Sequence, residues 1–558
     1  MRKILASLVV MMIFSCGDKS VIKNEESVLW QPYNDSVEIV ANAEHEKARM
    51  RYKLIQSKVL DKNEVFRPLY HEVSKMTPEE YESLKPLILE QNIFSIRKSI
   101  EDNRLGYEQL VLFYLYRIYK YELDNNTTLN TVIALNEDVV ESARKLDEQK
   151  REGRLPGIRH PIFGMPILLK DNIDIKGMKT TAGSIALMEN EVDDSFIVKR
   201  LKENGALILG KVNLSEWAYY LCSGCPVGYS AVGGQTLNPY GRKVFETGGS
   251  SSGSGTAVAA NYAVAAVGTE TSGSILSPSS QNSVVGLKPT IGLLSRSGIV
   301  PISSTLDTPG PMTKNVVDNG ILLSAMLGYD TLDTKSVDED FPGILSAGLN
   351  PEPFSEMRLG AISSLMENDS IYKNTVEALR AEGAEIIEFT PPDVEMSGFL
   401  SLLNIDMRKD LPVYLKRYSN PEKVKITSIK DAVAFNKEDS LVRIPYGQAL
   451  FEGIIKDTTT NEGLEEIKTR LENSGRAFFD SAMNEHKLHA VLSINNYHAG
   501  YAAVAKYPAL AVPMGYKPSG EPISLTFIGK PFTEAQLLRM GRAYEIKFPV
   551  RQIPNGYE

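Results

Sequence analysis

The spacing of apolar residues predicts helices in the first part of the chain. Ile93, Ile96 and Ile100 lie three and four positions apart, as they would on one face of a helix. After a break predicted at Gly106, four more apolar residues keep this spacing: Leu110, Phe113, Tyr114 and Ile118. The pattern continues over 131–150, whereas 60–86 is more polar and less periodic. We therefore predict a mostly helical region, whose first part, 35–92, is an added N-terminal helical arm.

The pattern changes at about residue 155, where short apolar runs alternate with Gly/Ser loops and helical stretches. Seven runs are predicted as strands: 166–169, 206–209, 263–267, 359–362, 384–389, 509–513 and 523–528. Four stretches among them are predicted as helices: 195–204, 256–262, 372–382 and 534–545. Strands that alternate with helices are typical of an α/β fold, a sheet with helices on its faces. Residues 328–355 are loop-rich and are predicted to be an excursion from that sheet.

The composition argues against one class of partner, nucleic acid. Hydrophobic residues make up 42% of the 558 residues and charged residues 23%, which is ordinary for a globular protein. The formal net charge is −9, and the chain has no run of Lys or Arg, which argues against a surface that binds nucleic acid. We expect no nucleic-acid partner.

The N-terminus has the layout of a secretory signal. Two basic residues precede an almost continuous apolar run over 4–14, which is too short for a stable bilayer anchor. The following Ser15 and Cys16 resemble a bacterial lipobox, in which the cysteine is acylated and becomes the first mature residue. We predict a signal peptide at 1–15, a lipidated Cys16 and a polar tether over 16–34. This layout describes an exported, membrane-anchored lipoprotein that faces the periplasm or the cell exterior, and a plain signal peptide with a chance cysteine is the alternative.

Two further cysteines, Cys222 and Cys225, follow a stretch at 214–221 that is predicted to be helical. A zinc site would need two more ligands, and the sequence has no second cysteine pair. A thioredoxin-like motif would open a helix near the start of the chain, whereas this pair lies in mid-chain. An oxidised local pair and two unreacted thiols both stay open. Because no metal cluster or nucleotide motif is evident either, we expect no cofactor.

Two segments rich in Gly and Ser, 247–256 and 268–275, carry the candidate chemistry. Such loops at a helix start direct several backbone N–H groups to one point, which suits a phosphate, a carboxylate or a developing oxyanion. A flexible linker is disfavoured because an apolar helix follows at once, and a phosphate loop is disfavoured because G-x-x-x-x-G-K-[ST] is missing. Residues 249–253 formally match G-x-S-x-G, which would make Ser251 a nucleophile with His498 as its base. The strand that this motif needs before it is poor.

A series of ordered blocks resembles the amidase signature family. The blocks are 160–174, 180–184, 233–240, 247–256, 268–278, 286–290, 307–312 and 507–513. The similarity covers about 93–547, with the signature core at 160–312. It implies the amidase signature fold, in which a mixed sheet is flanked by helices on both faces. It also implies an amidase, a hydrolase that cuts carboxylic amide C–N bonds.

The resemblance assigns roles to single residues. Lys170, at the end of the apolar run in its block, corresponds to the base of a Ser-Ser-Lys triad. Ser250 corresponds to the bridging serine, after a cis peptide bond, and Ser274, 24 residues later, corresponds to the nucleophile. Ser251 would support Ser250 by hydrogen bonding. The implied oxyanion hole consists of four backbone N–H groups, those of Thr271, Ser272, Gly273 and Ser274.

These residue types suit the chemistry. A serine hydroxyl is a weak nucleophile and needs a base. A lysine can be that base only if its pKa falls well below ~10.4, and desolvation after the apolar run 167–169 would lower the pKa of Lys170. Two positions depart from common family choices. Ser272 stands where the family often has Gly or Asp, and its backbone N–H is kept in spite of that change. Leu276 stands where many members have an arginine, so that an acidic substrate is disfavoured.

We therefore predict an extracytoplasmic amidase that forms an acyl-enzyme with a small-molecule or peptide amide. Two alternatives stay open. One is the glutaminase subunit of a tRNA-dependent amidotransferase, against which the export signal argues. The other is a non-catalytic binding lipoprotein on the same scaffold, against which the intact Lys170, Ser250 and Ser274 argue. The sequence does not identify the substrate.

Overall fold

The structure, a computed structural model, describes residues 28–558. The predicted signal peptide, Cys16 and positions 16–27 of the predicted tether lie outside the described residues. Over 28–558, no helix combines the length and the apolar character that crossing a membrane requires.

The helices within 28–558 are numbered in chain order. They are α1 Ser36–Ala41, α2 Lys62–Val73, α3 Pro78–Ile88, α4 Ile93–Glu101, α5 Tyr107–Glu122, α6 Val139–Arg151, α7 Phe196–Glu203, α8 Ser252–Ala259, α9 Leu276–Gln281, α10 Val316–Met326, α11 Ile344–Ala347, α12 Ser363–Asn368, α13 Ser370–Ala381, α14 Phe399–Tyr418, α15 Ile429–Lys437, α16 Ser440–Arg443, α17 Ala449–Lys456, α18 Asn461–Glu485, α19 Ala499–Ala505 and α20 Glu534–Lys547. Short 3-10 helices span Ala48–Met50, Ile185–Leu187, Glu216–Tyr219 and Phe354–Glu356.

The strands are β1 Val132–Leu135, β2 Pro166–Lys170, β3 Leu207–Val212, β4 Tyr229–Ser230, β5 Gly234–Gln235, β6 Ala265–Glu270, β7 Val285–Lys288, β8 Thr308–Thr313, β9 Arg358–Ile362, β10 Glu385–Phe389, β11 Ala490–Ile494, β12 Ala509–Tyr516 and β13 Pro522–Ile528. Eleven of them form one sheet in the order β1-β3-β2-β6-β8-β7-β12-β13-β11-β9-β10. The neighbours β3, β2 and β6 are parallel, as are β11, β9 and β10, and the other neighbours are antiparallel. Helices cover both faces of this mixed sheet, so the predicted α/β fold is confirmed.

The helical prediction for the N-terminal region is confirmed for most of its length. The spaced isoleucines of α4 and the apolar face of α5 are buried. The polar segment 60–86 forms two regular helices, α2 and α3, which begin at side-chain caps from Asp61 and Thr77. The helix predicted from residue 131 is wrong at its start, since Val132–Leu135 is a strand. Its β-branched, apolar residues suit the edge of the sheet, where they pair with β3.

A second apolar core lies between the sheet and a helical cap, which we define as residues 399–485. Helices α14, α15, α17 and α18 contribute buried side chains such as Leu402, Phe451 and Leu471. They pack with Trp217, which follows β3, and with Leu306, which precedes β8. The cap therefore covers the edge at which β3 ends.

The helix predicted at 214–221 is not formed. The stretch contains only the short 3-10 turn Glu216–Tyr219, in which Trp217 and Ala218 have left-handed φ values of 51° and 54°. The Trp217 N–H donates to the carbonyl of Ala182, and its ring packs on Phe451 of the cap. These tertiary contacts override a weak local preference for helix.

Candidate active site

Strand β2 carries Lys170 into the interior. All residues of Pro166–Lys170 are buried, because β2 has parallel neighbours on both sides, β3 and β6. Lys170 is the last residue of the strand and is 0% exposed. Ligands in α/β proteins bind at the carboxyl ends of parallel strands, so the location suits a catalytic group.

The Lys170 side-chain nitrogen lies among neutral oxygen atoms. Its Nζ is 2.7 Å from Ser250 Oγ and 3.0 Å from Ser251 Oγ. Thr269 contributes two more acceptors, its Oγ1 at 2.9 Å and its carbonyl oxygen at 3.1 Å. Within residues 28–558, Lys170 forms no ion pair with a carboxylate.

Burial therefore controls the charge of this lysine. It lowers the pKa of Lys170 from 10.5 to about 7, and the negative charges of Asp307 and Glu270 oppose that shift only in part. A substantial fraction of Lys170 is then a neutral amine near pH 7, and such an amine can accept a proton.

The first Gly/Ser segment brings two serines to this amine. Ser250 and Ser251 are both 0% exposed, and the Gly249–Ser250 peptide is cis. Ser251 Oγ donates to the carbonyl of Thr269 at 3.0 Å and accepts from its N–H at 3.1 Å. This close approach depends on Gly268, since a Cβ there would lie 2.8 Å from Ser251 Oγ. Ser251 thus ties the first Gly/Ser segment to the end of β6.

The second Gly/Ser segment follows β6 and holds Ser274. The Ser251 N–H donates to the Ser274 carbonyl at 3.1 Å, so the two segments lie side by side. Ser274 is only partly buried, in contrast to Ser250 and Ser251. Among the described residues, its hydroxyl has no hydrogen-bond partner, and no Ser250–Ser274 hydroxyl bond is formed. Catalytic hydrogen bonds often close only when substrate is bound.

A buried glutamate, Glu270, shapes the turn around Ser274. Its carboxylate accepts the backbone N–H groups of Gly273 at 2.7 Å, Ile275 at 2.7 Å and Leu276 at 3.0 Å. Sequence reasoning missed this residue. The available signal was an acidic side chain at the end of an otherwise apolar strand, inside a Gly/Ser block.

The contact with Glu270 leaves three of the four predicted oxyanion-hole donors available. The Gly273 N–H is occupied by the carboxylate in this structure. The three other predicted donors, the N–H groups of Thr271, Ser272 and Ser274, have no acceptor within the described chain. An oxyanion could take these free donors without displacing a hydrogen bond.

A second buried carboxyl, Asp307, joins the nucleophile segment to the loop before β8. It accepts the Thr271 hydroxyl at 2.5 Å and the backbone N–H groups of Ile302 and Ser303 at 2.8 Å each. Burial raises the pKa of Asp307. Asp307 stood in a recognised sequence block, but no role was predicted for it.

The alternative pair of Ser251 and His498 is not formed. His498 Nδ1 lies 2.6 Å from Ser493 Oγ, and its ring packs against Phe478. Burial lowers the pKa of His498 to about 4. Ser251 contacts Lys170 instead, so the structure does not support the G-x-S-x-G interpretation.

Cys222 and Cys225 form a disulfide, which settles the two alternatives that the sequence left open. The bond closes a loop next to the cap, where the Leu450 N–H donates to the carbonyl of Leu221 at 3.1 Å. Both cysteines line a small pocket that Tyr446 also borders.

A cavity of about 240 Å³ opens between the cap and the loop before β8. Its apolar lining consists of Leu306, Leu402, Leu471 and Val504, and its charged lining includes Lys468, Glu472 and Lys506. Val504 belongs to α19, whose first residue, Ala499, lies against the nucleophile turn: a Cβ on Gly273 would be 3.4 Å from Ala499 Cβ. The cavity therefore lies one short helix away from Ser274.

These parts suit attack by a serine on a carbonyl carbon. A buried amine contacts two serine hydroxyls, a third serine has a free hydroxyl in a partly exposed position, and unpaired backbone donors surround it. Such donors stabilise the oxyanion that forms when a hydroxyl adds to a carbonyl. The fold and the site therefore suit a hydrolase whose reacting groups are serine hydroxyls and a buried lysine.

Comparison with known proteins identifies the family. The Amidase family model matches residues 109–484. A probable amidase from Arabidopsis thaliana is 38% identical over 488 residues, which cover 84% of this chain and 92% of that protein. The chain belongs to the amidase signature family, and it is a hydrolase that acts on amide C–N bonds.

Two solved structures share the fold. An amidase family protein from Bacillus anthracis str. Ames is 36% identical with a TM-score of 0.83, and the match covers 90% of this chain and 99% of that one. The peptide amidase from Stenotrophomonas maltophilia is 34% identical with a TM-score of 0.77, over 84% of this chain and 99% of that one. The expected amidase signature fold is therefore confirmed.

Proposed function

We propose that this amidase hydrolyses its substrate through a relay of Lys170, Ser250 and Ser274. Neutral Lys170 accepts the proton of the Ser250 hydroxyl, and Ser250 accepts the proton of Ser274. Ser274 Oγ then bonds to the amide carbon, and the carbonyl oxygen becomes an oxyanion. The free N–H groups of Thr271, Ser272 and Ser274 are the proposed donors to that oxyanion.

The same relay completes the reaction in the reverse direction. The proton held by Lys170 returns through Ser250 to the leaving nitrogen, the C–N bond breaks, and ammonia or an amine departs. Water then gives a proton to the relay and adds to the acyl-Ser274 ester. The bond between the acyl carbon and Ser274 Oγ breaks, the relay returns the proton to Ser274 Oγ, and the carboxylic acid is released. Each proton taken by Lys170 is returned within one cycle.

The observation that carries this proposal is the environment of Lys170. Its Nζ lies 2.7 Å from Ser250 Oγ in a fully buried site, and burial lowers its pKa to about 7. A lysine paired with a carboxylate would stay charged, whereas Lys170 contacts only neutral oxygens. It is therefore suited to cycle between the neutral and the charged form.

We infer further that the substrate is a neutral amide, with C-terminal peptide amides as the first class to test. The solved relative named a peptide amidase supports this class. Leu276, two residues beyond the nucleophile, offers no charge to an acidic substrate. The nearby cavity contains an apolar patch of Leu306, Leu402, Leu471 and Val504, and the rest of its lining is polar and charged. A peptide amide with a terminal Leu or Phe should react faster than the same peptide with a terminal Asp.

Labelling with a fluorophosphonate tests the nucleophile. The wild-type protein should react at one serine and release ammonia from a peptide amide, whereas Ser274→Ala should do neither. Replacing a catalytic serine lowers kcat by roughly 10⁶-fold in another serine hydrolase. Ser251→Ala, which lies in the same cluster, is the matched control and should still be labelled. Equal labelling of wild type and Ser274→Ala would remove the assignment.

The same assay separates the alternative functions. A glutaminase subunit of a tRNA-dependent amidotransferase would prefer glutamine and depend on partner subunits, whereas the proposed amidase acts alone on peptide or small-molecule amides. A non-catalytic binding lipoprotein would neither react with the fluorophosphonate nor release ammonia.

We also propose that residues 1–15 direct export and that Cys16 carries a lipid. The basic start, the apolar run and the Cys16 position support this, and a disulfide at Cys222 and Cys225 fits an oxidising compartment. Expression in a bacterial host with radiolabelled palmitate should label the wild type and leave Cys16→Ser unlabelled and outside the membrane fraction. Equal labelling of the two proteins would exclude Cys16 as the acceptor.

A further inference from the structure

The segment that follows β3 lies directly against the bridging serine. We define the serine clamp as residues 215–228, between β3 and β4. At its start, the backbone N–H of Ser215 donates to the carbonyl oxygen of Ser250 at 3.0 Å. Ser215 is 1% exposed, and its N–H has no other acceptor in the described chain. The clamp therefore holds the backbone carbonyl of Ser250, whereas Lys170 contacts its hydroxyl.

The other end of the clamp touches the preceding residue. A Cβ placed on Gly249 would lie 2.5 Å from Val227 Cγ1 and 2.6 Å from Ser215 Oγ. Gly249 thus leaves just enough space for the two ends of the clamp to close over the Gly249–Ser250 peptide. A small displacement of either end would change the position of Ser250.

Three nested links hold the clamp closed. The Gly228 N–H donates to Ser215 Oγ at 2.8 Å, which joins its two ends. Inside that loop, the Tyr219 hydroxyl donates to the carbonyl of Cys225 at 2.7 Å. Inside both, the disulfide joins Cys222 to Cys225. The disulfide is the only covalent link of the three.

The clamp needs such links because its backbone is locally unfavourable. Trp217, Ala218 and Tyr219 have φ values of 51°, 54° and 74°. Three successive residues with a Cβ rarely adopt left-handed values, since the side chain then crowds the backbone. Such a conformation persists only where the surroundings impose it, and it is often found beside functional sites. The links act together with the packing of Trp217 on Phe451, so opening them removes part of what imposes this conformation and allows Ser215 to move.

We propose that Ser215 is a positioning residue for Ser250, and that the Cys222–Cys225 disulfide keeps it in place. This inference rests on the proposed role of Ser250 as the proton bridge. Reduction of the disulfide by a dithiol converts the S–S bond into two thiols and the dithiol into its own disulfide, so that two electrons and two protons pass to the protein. The clamp loses its covalent link, and Ser250 loses its fixed distance to Lys170.

Reduction should affect the chemical step more than substrate binding. We expect kcat to fall about tenfold or more, because general-base catalysis is worth roughly 10²- to 10⁴-fold, while KM changes little. The acidic limb of the pH profile of kcat should also shift to higher pH, because a displaced Ser250 admits water to Lys170 and weakens the effect of burial. Simple loss of folded protein would reduce the rate without moving that limb.

The test uses the full-length protein, oxidised and after treatment with dithiothreitol. Thiols at positions 222 and 225 are counted by alkylation and mass spectrometry under native conditions, and kcat and KM are measured on a peptide amide at each pH. The double variant Cys222→Ser/Cys225→Ser supplies the same open clamp where the native bond resists reduction. It should resemble the reduced wild type and should not respond to dithiothreitol.

A pair of variants at residue 215 isolates the hydrogen bond to Ser250. Ser215 has a φ of −67°, which proline allows. Ser215→Ala removes the hydroxyl and keeps the N–H, whereas Ser215→Pro removes both. The alanine variant opens the outer link of the clamp but keeps the hydrogen bond to Ser250. The proline variant should therefore show the larger loss of kcat and the larger upward shift of the acidic limb.

The outcomes are distinct from those that test the proposed function. If the oxidised wild type fails to hydrolyse amides, the relay itself is wrong. If the oxidised enzyme is active, and if reduction and the double cysteine substitution both leave kcat, KM and the acidic limb at the values of the oxidised wild type, the clamp does not position Ser250 and this inference is overturned. A change confined to KM would overturn it as well, since it would make the loop part of the substrate wall only.

Discussion

The rate of hydrolysis should depend on pH through Lys170. Only the neutral amine can accept a proton, and burial lowers the pKa of Lys170 to about 7. We therefore expect kcat to rise with pH, to be half-maximal near pH 7, and to be about tenfold lower at pH 6 than on the plateau, as one titrating group requires. An ordinary lysine, with a pKa near 10.4, would still be mostly charged at pH 8.

The size of this effect follows from burial. The pKa of Lys170 falls from 10.5 to about 7, and one pKa unit equals 1.36 kcal/mol, so the folded protein disfavours the charged form by about 5 kcal/mol. The unfolded chain binds the proton more tightly between pH 7 and pH 10.5. The contribution of Lys170 to the free energy of unfolding therefore rises with pH across that window and is least favourable below pH 7.

Two measurements check this reasoning. Initial rates of ammonia release at saturating peptide amide, from pH 5 to pH 9, give the kcat profile. Urea unfolding of wild type and Lys170→Met at pH 7 and pH 10 gives the linkage, and the difference in free energy of unfolding should shift in favour of the wild type at the higher pH. A kcat that is flat from pH 5 to pH 8, or that falls as the pH rises, would refute the assignment of Lys170 as the base.

A second buried lysine provides the control. Lys314 is 4% exposed, and burial lowers its pKa to about 8. Its Nζ donates to Asn261 Oδ1 at 3.0 Å and contacts no serine hydroxyl. Lys314→Met should change stability but leave the pH of half-maximal kcat where it is in the wild type. If Lys314→Met moved the pH of half-maximal kcat, the acidic limb would report on the stability of the fold and not on the proton transfer to Lys170.

Three further changes have defined outcomes. Ser251→Ala removes one hydroxyl from the Lys170 nitrogen, and loss of such a buried hydrogen bond, worth ~1–3 kcal/mol, should lower kcat about 10- to 100-fold without abolishing fluorophosphonate labelling. Asp307→Asn removes a negative charge that raises the pKa of Lys170, so the acidic limb of kcat should move to lower pH, and a shift to higher pH would contradict the sign. Tyr414→Phe deletes the hydroxyl that lies 2.7 Å from buried Asp174 Oδ1. The free energy of unfolding in urea should fall by ~1–3 kcal/mol. An unchanged urea midpoint would mean that this contact does not hold the cap on the sheet.

The sequence was most informative where a pattern is repeated or a block is distinctive. Apolar spacing predicted α4 and α5, and short apolar runs predicted the central strands, because periodic burial leaves a direct trace in the residue types. The order of the Gly/Ser blocks distinguished Ser274 from Ser251, which composition could not do. The structure brings Lys170 and Ser250 into contact across 80 residues of chain.

The remainder depends on tertiary contacts that no local pattern encodes. Residues 214–221 look helical, but packing of Trp217 under the cap and the long-range hydrogen bond from its N–H to the carbonyl of Ala182 impose a left-handed turn. Glu270 and Asp307 are single acidic residues without any periodic context, so their roles emerge only when the backbone N–H groups that they accept are known. The sequence also did not decide whether Cys222 and Cys225 are bonded, because two cysteines three positions apart can equally stay reduced.

The serines of the site differ in how they are held, and the difference matches what a relay requires. Ser250 is fully buried and fixed on two sides, by Lys170 at its hydroxyl and by Ser215 at its carbonyl. A bridging group transfers a proton in both directions in each cycle, so its distance to the base has to stay constant. Ser274 is held through its backbone and leaves its hydroxyl free in a half-buried position. A nucleophile must approach a substrate carbon and then carry the acyl group, so freedom of its side chain is needed at this position and would be harmful at Ser250.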